Sequence, residues 1–319
     1  MQKFERVAVI AKPQGTISRY VRELTDLIVR AGCTPYLDEN AAAHMPDDCP
    51  YETGSVEKII SVCDVAVAIG GDGTMLGAAR ATAGHRVPVI GINAGRLGFI
   101  TDIVLEDMHR LLPAMLKGQY VADERRMLQG SVLRDGKLLF EGVAVNDIGI
   151  SHGRALGMVE YTVYVDGLQM AVQRADGVLV STATGSTAYA MAAGGPIMHP
   201  SVSSMLLVPI APHTLSNRPI VLGSHTVIDI EVNETRSAVA SFDAQILIDV
   251  QAGDVLRVKV SDHRFTMLHP VGYNHFDLLR RKLKWNYLPQ AERPIHTPLQ
   301  DQTTPPQVIH HPLPDTNIQ

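Results

Sequence analysis

The apolar run VAVAI (65–69) leads straight into Gly70-Gly71-Asp72-Gly73-Thr74, and a helical pattern follows. Glycines at a strand-to-helix turn let backbone N–H groups approach phosphate oxygens, and the helix N-terminus adds partial positive charge. The spacing Gly71-x-Gly73-x-x-x-Gly77 only loosely matches a dinucleotide fingerprint. Asp72 is the unusual member. A carboxylate between two phosphate-cradling glycines repels a directly bound pyrophosphate, so it works through a cation or faces a hydroxyl that it orients or deprotonates. Either use suits phosphoryl transfer better than hydride transfer. Taken alone, the same residues also read as a tight βα turn with an Asp N-cap.

Two further groups have the composition of a ligand site. The strand-like VLVS (178–181) is followed by Thr182-Ala183-Thr184-Gly185-Ser186-Thr187-Ala188-Tyr189 and then by Gly194-Gly195-Pro196. Hydroxyl side chains packed around one glycine offer donors and acceptors with little bulk, as a polyol or phosphate requires; an ordinary Ser/Thr-rich turn has the same composition. Asn146-Asp147 follows the strand-like EGVAV (141–145), where a short amide and a short carboxylate could grip a ribose or a base edge, or simply make a turn. There is no Walker A sequence: Gly136-Lys137 is followed by Leu138 within a hairpin pattern.

The elements that position these groups fall into two textures. Residues 4–11 form a β-branched run of strand length, and Ile17, Tyr20, Val21, Leu24, Leu27 and Ile28 recur at helical spacing before the stop at Gly32. TPYLD (34–38) reads as a strand, 55–62 as a helix, 64–69 as a strand, 75–82 as a helix and 87–92 as a strand. Such alternation predicts a parallel sheet with helices on both faces. After about residue 119 the pattern changes to period two. Asp135-Gly136 and Asp166-Gly167 each sit between two alternating runs, a hairpin signal. The expected fold class is therefore α/β plus all-β: a Rossmann-like parallel-sheet domain at 1–122, then a β-rich, β-sandwich domain at 123–270. Residues 271–287 are expected to pack back on the first domain. The proline-rich 288–319 reads as a disordered tail.

Composition narrows the class further. The 319 residues carry 28 basic and 33 acidic side chains, a net charge of −5, and are 45% hydrophobic, too apolar for a disordered chain. Mild acidity argues against a nucleic-acid partner, and no apolar run approaches the ~18–20 residues of a membrane helix. The N-terminal MQKFERVAVIAKPQ lacks the long apolar region and cleavage site of a signal peptide. Cys33, Cys49 and Cys63 are odd in number and not in C-x-x-C spacing, as expected of a reduced cytoplasm without a disulfide framework or zinc site.

Three separated motifs, GGDGT (70–74), Asn146-Asp147 and TGSTAYAMAAGGP (184–196), are arranged like those of the bacterial NAD kinases. GINAGRLGFITD (91–102), RADG (174–177) and FDAQ (242–245) strengthen the resemblance, which spans about residues 5–285 and leaves out the tail. It implies ATP-dependent transfer of the γ-phosphoryl group to the 2′-hydroxyl of the adenosine ribose of NAD, giving NADP. Asp72 would be the proton acceptor, and Gly73 would approach the ligand by its backbone. Asn146 and Asp147 would hold the adenosine or ribose, although the family more commonly has Asn-Glu, so the reach of the shorter acid differs. Thr187, Ala188, Tyr189 and Ala192 would line the adenine pocket, with Ala190 and Met191 between them. Asp176 would contact the nicotinamide end, often across a subunit boundary. Gly157 and Gln245 carry over as further binding positions.

Relatives with a basic residue at the position of Arg174 tend to prefer NAD over NADH, so the same preference is expected here. The family also implies a homodimer or homotetramer. Mg²⁺ is expected on charge grounds, held mainly by substrate phosphates and water without a protein cage. Arg80 and Arg96 lie close enough in sequence to offset phosphate charge, or to be ordinary surface arginines. A diacylglycerol-type lipid kinase shares the GGDGT logic, but Asn146-Asp147 and the TGSTAY loop favour a dinucleotide. A non-enzymatic NAD sensor would not need Asp72, and a Rossmann dehydrogenase would need a ribose-binding acid about 20 residues past the loop that is not clearly present.

Overall fold

The computed structural model describes residues 3–13, 17–95, 98–101, 103–153, 157–214 and 216–285; the proline-rich segment and Arg96 lie outside them. In the first half the expected alternation gives β1 (Arg6–Ala11), α1 (Ser18–Arg30), β2 (Thr34–Asp38), α2 (Glu39–Ala42), β3 (Glu52–Gly54), α3 (Val56–Ile60), β4 (Val65–Gly70), α4 (Asp72–Ala83), β5 (Val89–Asn93), β6 (Ile103–Val104) and α5 (Leu105–Leu116). The strands pair in parallel in the order β3-β2-β1-β4-β5, with β6 also on β5. Every residue of β4 is buried, as a central parallel strand covered on both faces requires. α1 turns Val21, Leu24, Leu27 and Ile28 inward, and Gly32 takes φ +82° just beyond its end.

The second half comprises β7 (Tyr120–Arg134), β8 (Lys137–Ala144), β9 (Asp147–His152), β10 (Val159–Val165), β11 (Leu168–Ala175), β12 (Gly177–Ser181), α6 (Tyr189–Ala192), β13 (Ser204–Ile210), β14 (Ile220–Gly223), β15 (Ile228–Glu234), β16 (Ala238–Phe242), β17 (Ile246–Val250), β18 (Val255–Pro270) and α7 (His275–Leu283). Both Asp-Gly pairs turn as expected: Asp135 and Gly136 have φ 51° and 72°, Asp166 and Gly167 have 51° and 78°, the double positive of a type I′ hairpin. A six-stranded antiparallel sheet, β14-β13-β12-β9-β16-β17, packs against strands of the larger sheet over a core that includes Ile148, Tyr161, Val178, Ile230, Phe242 and Val258.

The halves are less separate than the pattern of residues suggests. One sheet, β11-β10-β15-β18-β5-β4-β1-β2-β3, runs through both. Residues Val255–Val258 of β18 pair with β15, while Met267 pairs in parallel with Val89 of β5. β7 accompanies β18 antiparallel, with a register shift between Val260 and Arg264. The boundary placed at 122/123 therefore falls inside β7. Strands of 15 and 16 residues span about 50 Å at ~3.3 Å per residue, enough to link both layers. Sequence reasoning did not name α5, α7, β3 or β6. α7 buries Leu278 and Leu279 and sets Lys282 Nζ 5.3 Å from the centre of the Phe99 ring, in the segment after β5.

Candidate active site

The glycine loop is shorter than its sequence suggests. α4 begins at Asp72 with Gly71 as its N-cap, so Asp72 is the first helical residue and its carboxylate caps nothing. The N-cap reading is thereby corrected. The side chain turns to the segment after β5: Oδ2 accepts from the Phe99 amide at 3.2 Å and Oδ1 from the Thr101 hydroxyl at 3.3 Å. A Cβ on Gly98 would overlap Asp72 Oδ1, so glycine there is what allows the approach. Asp72 of GGDGT and residues 98–101 of GINAGRLGFITD thus form one structural unit.

The six-stranded sheet supplies a cavity of about 470 Å³, lined among others by Asn146, Asp147, Ala188, Tyr189, Asp243 and Leu247. Asn146 occupies the short link between β8 and β9. Its carbonyl accepts from the Thr182 amide (2.8 Å) and the Ser181 hydroxyl (3.1 Å), and Gly185 presses so closely on it that a Cβ would overlap the carbonyl oxygen. The side-chain Oδ1 of Asn146 is buried with no hydrogen-bond partner. An orphaned buried acceptor on a cavity wall is an invitation to a ligand donor.

Asp243 organises the floor of this cavity from a left-handed backbone position, φ 53°, followed by Ala244 at 54°. Two consecutive non-glycine residues in that region are uncommon and store backbone strain. The carboxylate accepts from the amides of Val145 (3.0 Å), Asn146 (2.7 Å) and Asp147 (3.3 Å), which holds the Asn146-Asp147 corner in place. Arg80 of α4 completes the set, with Nη1 2.5 Å from Asp243 Oδ2. Its other Nη donates to Gln245 Oε1, and Gln245 Nε2 donates to the Gly73 carbonyl at 2.9 Å. Gly73, Arg80, Asp243 and Gln245 therefore join the glycine loop to the wall of the cavity. Burial, reinforced by the charge of Asp243, pushes the Asp147 carboxyl up to about 7.

Several expected residues are placed differently. The hydroxyls of Ser181, Thr182, Ser186 and Thr187 turn inward. Thr182 Oγ1 donates to the Val145 carbonyl, Ser186 Oγ to Ala183 and Thr187 Oγ1 to Thr184. They build a turn rather than offer donors to a polyol, because a buried hydroxyl must find a partner and backbone carbonyls are nearest. Ala188 and Tyr189 do line the cavity. Ala190 is fully buried in a cluster with Leu179 and Leu206. Thr187, Met191 and Ala192 lie beside the lining residues rather than among them. Gly157 and Arg174 are exposed, and Asp176 donates its amide to Ile210, itself a cavity residue. Arg80 is engaged by Asp243 and Gln245. Sequence reasoning missed Asp243, Thr101 and Phe99 as individual residues, although FDAQ and GINAGRLGFITD carried the signal.

Comparison with known proteins gives the family. Residues 7–120 match the ATP-NAD kinase N-terminal domain and 145–269 the ATP-NAD kinase C-terminal domain. A protein named NAD kinase from Polaromonas naphthalenivorans is 47% identical over 285 residues, covering 89% of this chain and 98% of its own length. One of the same name from Cupriavidus pinatubonensis is 47% identical over 290 residues, covering 91% and 95%. The chain belongs to the ATP-NAD kinase family.

Among solved structures, yeast NADH kinase complexed with NADH has the same fold, with a TM-score of 0.82 at 23% identity over 90% of this chain and 89% of that one. An NAD kinase from Archaeoglobus fulgidus in complex with ATP gives 0.69 at 25% identity over 88% and 98%. As a member of the ATP-NAD kinase family the chain is a phosphotransferase that uses ATP to make NADP. The lipid-kinase, sensor and dehydrogenase alternatives are set aside with that assignment. No helix among the described residues is long and apolar enough to cross a membrane.

Proposed function

We propose that the chain transfers the γ-phosphoryl group of ATP to the 2′-hydroxyl of the adenosine ribose of NAD, with Asp72 receiving that hydroxyl. The carrying observation is the junction of Gly73 with Gln245, Arg80 and Asp243, which sets the glycine loop beside a cavity walled by Asn146, Asp147 and Tyr189. The ribose oxygen bonds to Pγ as the bond to the ADP oxygen breaks, and the hydroxyl proton passes to the Asp72 carboxylate. Carboxylates are weak bases toward sugar hydroxyls, but a loose transition state asks for an aligned nucleophile before a deprotonated one. Asp72 therefore aligns first and takes the proton late.

Asn146 Oδ1 accepts from the adenosine part of NAD, Asp147 meets a ribose hydroxyl, and Ala188 and Tyr189 face the adenine. Thr187, Met191 and Ala192 support that wall. Asp176 serves the nicotinamide end within a homodimer or homotetramer, and Gly157 and Arg174 are further binding positions. The site lies where the glycine loop of the parallel-sheet half meets the six-stranded antiparallel sheet, with α7 returning toward the segment after β5. Mg²⁺ would be carried mainly by the ATP phosphates, whose charge it would neutralise. A cytoplasmic location goes with this reading.

The test is NADP formation by purified protein with NAD, Mg²⁺ and ATP or polyphosphate as separate donors. Asp72→Asn is expected to lower kcat about 10²–10⁴-fold while NAD affinity stays within about tenfold. Near-full turnover in that variant would show that Asp72 is not the acceptor.

A further inference from the structure

The carboxylate of Asp72 ends a directional chain of hydrogen bonds that begins at the end of β5. Asn93 is buried, and its Oδ1 accepts from the Gly95 amide at 2.8 Å. That bond settles which end of the amide faces which neighbour, so Nδ2 is the end directed at Thr101 Oγ1, 2.9 Å away. A hydroxyl has two acceptor sites and a single proton. With one acceptor site filled by Asn93, the Thr101 proton is directed to Asp72 Oδ1 at 3.3 Å. The Phe99 amide takes Oδ2 at 3.2 Å, and Gly98 leaves the space the carboxylate occupies.

We infer that Thr101 is a positioning residue for phosphoryl transfer, holding the Asp72 carboxylate in one rotamer, and that Asn93 sets the direction of the Thr101 proton. The inference rests on Asp72 being the group that meets the ribose hydroxyl. An Asp at the first position of a helix otherwise has several staggered rotamers open to it. Two donors from one short segment select the rotamer before substrate arrives. Alignment that is built in advance lowers the barrier without tightening ground-state binding. Thr101 itself is buried, so its effect reaches the reaction only through Asp72.

The experiment uses the full chain with NAD, ATP and Mg²⁺ and compares Thr101→Val, Thr101→Ser, Asn93→Asp, Asp72→Asn and the Asp72→Asn/Thr101→Val double variant. Val keeps the shape of Thr and removes the hydroxyl, so kcat should fall about tenfold with the KM for NAD within about twofold. Thr101→Ser restores the hydroxyl and should stay within about threefold of the parent. Asn93→Asp puts an acceptor where Thr101 met a donor, drawing the proton away from Asp72, and should cost kcat at least as much as Thr101→Val. In the Asp72→Asn background, Thr101→Val should add less than about a twofold loss, because both act through one carboxylate. Parent-like kcat in Thr101→Val or Asn93→Asp, equal damage from Ser and Val, a loss carried by KM, or full additivity in the double variant would each overturn the inference. If Thr101→Val melts early, Thr101→Ser against Asn93→Asp decides. Full turnover in Asp72→Asn removes the underlying catalytic reading; an inactive Asp72→Asn beside a fully active Thr101→Val removes only the role of Thr101.

Discussion

Asp147 and Asp243 line the same cavity, yet only Asp243 is supplied with three backbone amides and a guanidinium. Burial, together with the neighbouring charge of Asp243, lifts the Asp147 carboxyl to about 7. Asymmetric treatment of two close carboxylates separates their roles: one fixes the β8–β9 corner, and the other is left near its titration midpoint at neutral pH.

The stability consequence has a definite sign. A carboxyl held near 7 in the folded chain and near the ordinary ~4 when unfolded keeps its proton more tightly in the folded state. Between those values the folded chain binds more protons, so stability falls as pH rises from about 4 to about 7 and the loss is complete above that. Asp147→Asn removes this liability. Its melting temperature relative to the parent should climb between pH 5 and pH 8, with a gain on the order of 1 kcal/mol or more at the upper end. A difference that stays flat over that range would contradict the raised value.

Arg80 should act on stability as much as on catalysis. Arg80→Ala leaves the fully buried Asp243 carboxylate without its guanidinium and removes the bond to Gln245, the residue that holds the Gly73 carbonyl. Urea denaturation should show a loss of about 2–4 kcal/mol, moderated by the three amides that remain. Arg80→Lys keeps the charge but not the two-pronged geometry, so it should recover only part of the loss.

Gly98→Ala tests the approach of Asp72 to the segment after β5. The new Cβ falls on Asp72 Oδ1, and the carboxylate must leave both the Phe99 amide and the Thr101 hydroxyl. The expected outcome is a kcat lower by about 10²-fold with NAD affinity little changed, read by steady-state kinetics and calorimetry. A variant with parent kcat would mean that the observed rotamer is not the productive one.

Arg174 is exposed next to the C-terminal end of β11, paired across the ladder with Glu160. A preference for oxidised NAD is expected, with a higher kcat/KM for NAD than for NADH. Arg174→Gly should narrow that ratio by raising the use of NADH. Equal kcat/KM for both in the parent chain would end this assignment.

Much of the scaffold was legible because its signals are local. The strand-helix alternation of 6–93 follows from apolar periodicity, and both Asp-Gly hairpins follow from residues that tolerate positive φ. The 181–187 loop shows the limit: its Ser and Thr content marked a special turn, but composition is silent on whether a hydroxyl faces a ligand or a carbonyl. Ala190 shows the same limit, since a small residue in a motif is equally suited to lining a cavity and to the core cluster where it packs. The 122/123 boundary falls inside β7, whose pairing with β18 joins contacts far apart in sequence that no window of neighbouring residues contains.

The sequence by itself determined the element types, the phosphate-approaching loop with an acid at its centre, and, through three spaced motifs, the family. Only the tertiary structure decided what holds that acid and what joins it to the cavity. Asp72 meets Thr101 across 29 positions of chain and Arg80 meets Asp243 across 163. Those contacts exist because the parallel strands β4 and β5 end side by side, and because β18 carries the antiparallel half back against β5. Hydrogen bonds act over about 3 Å, so their partners are set by where strands end in space rather than by where residues stand in order.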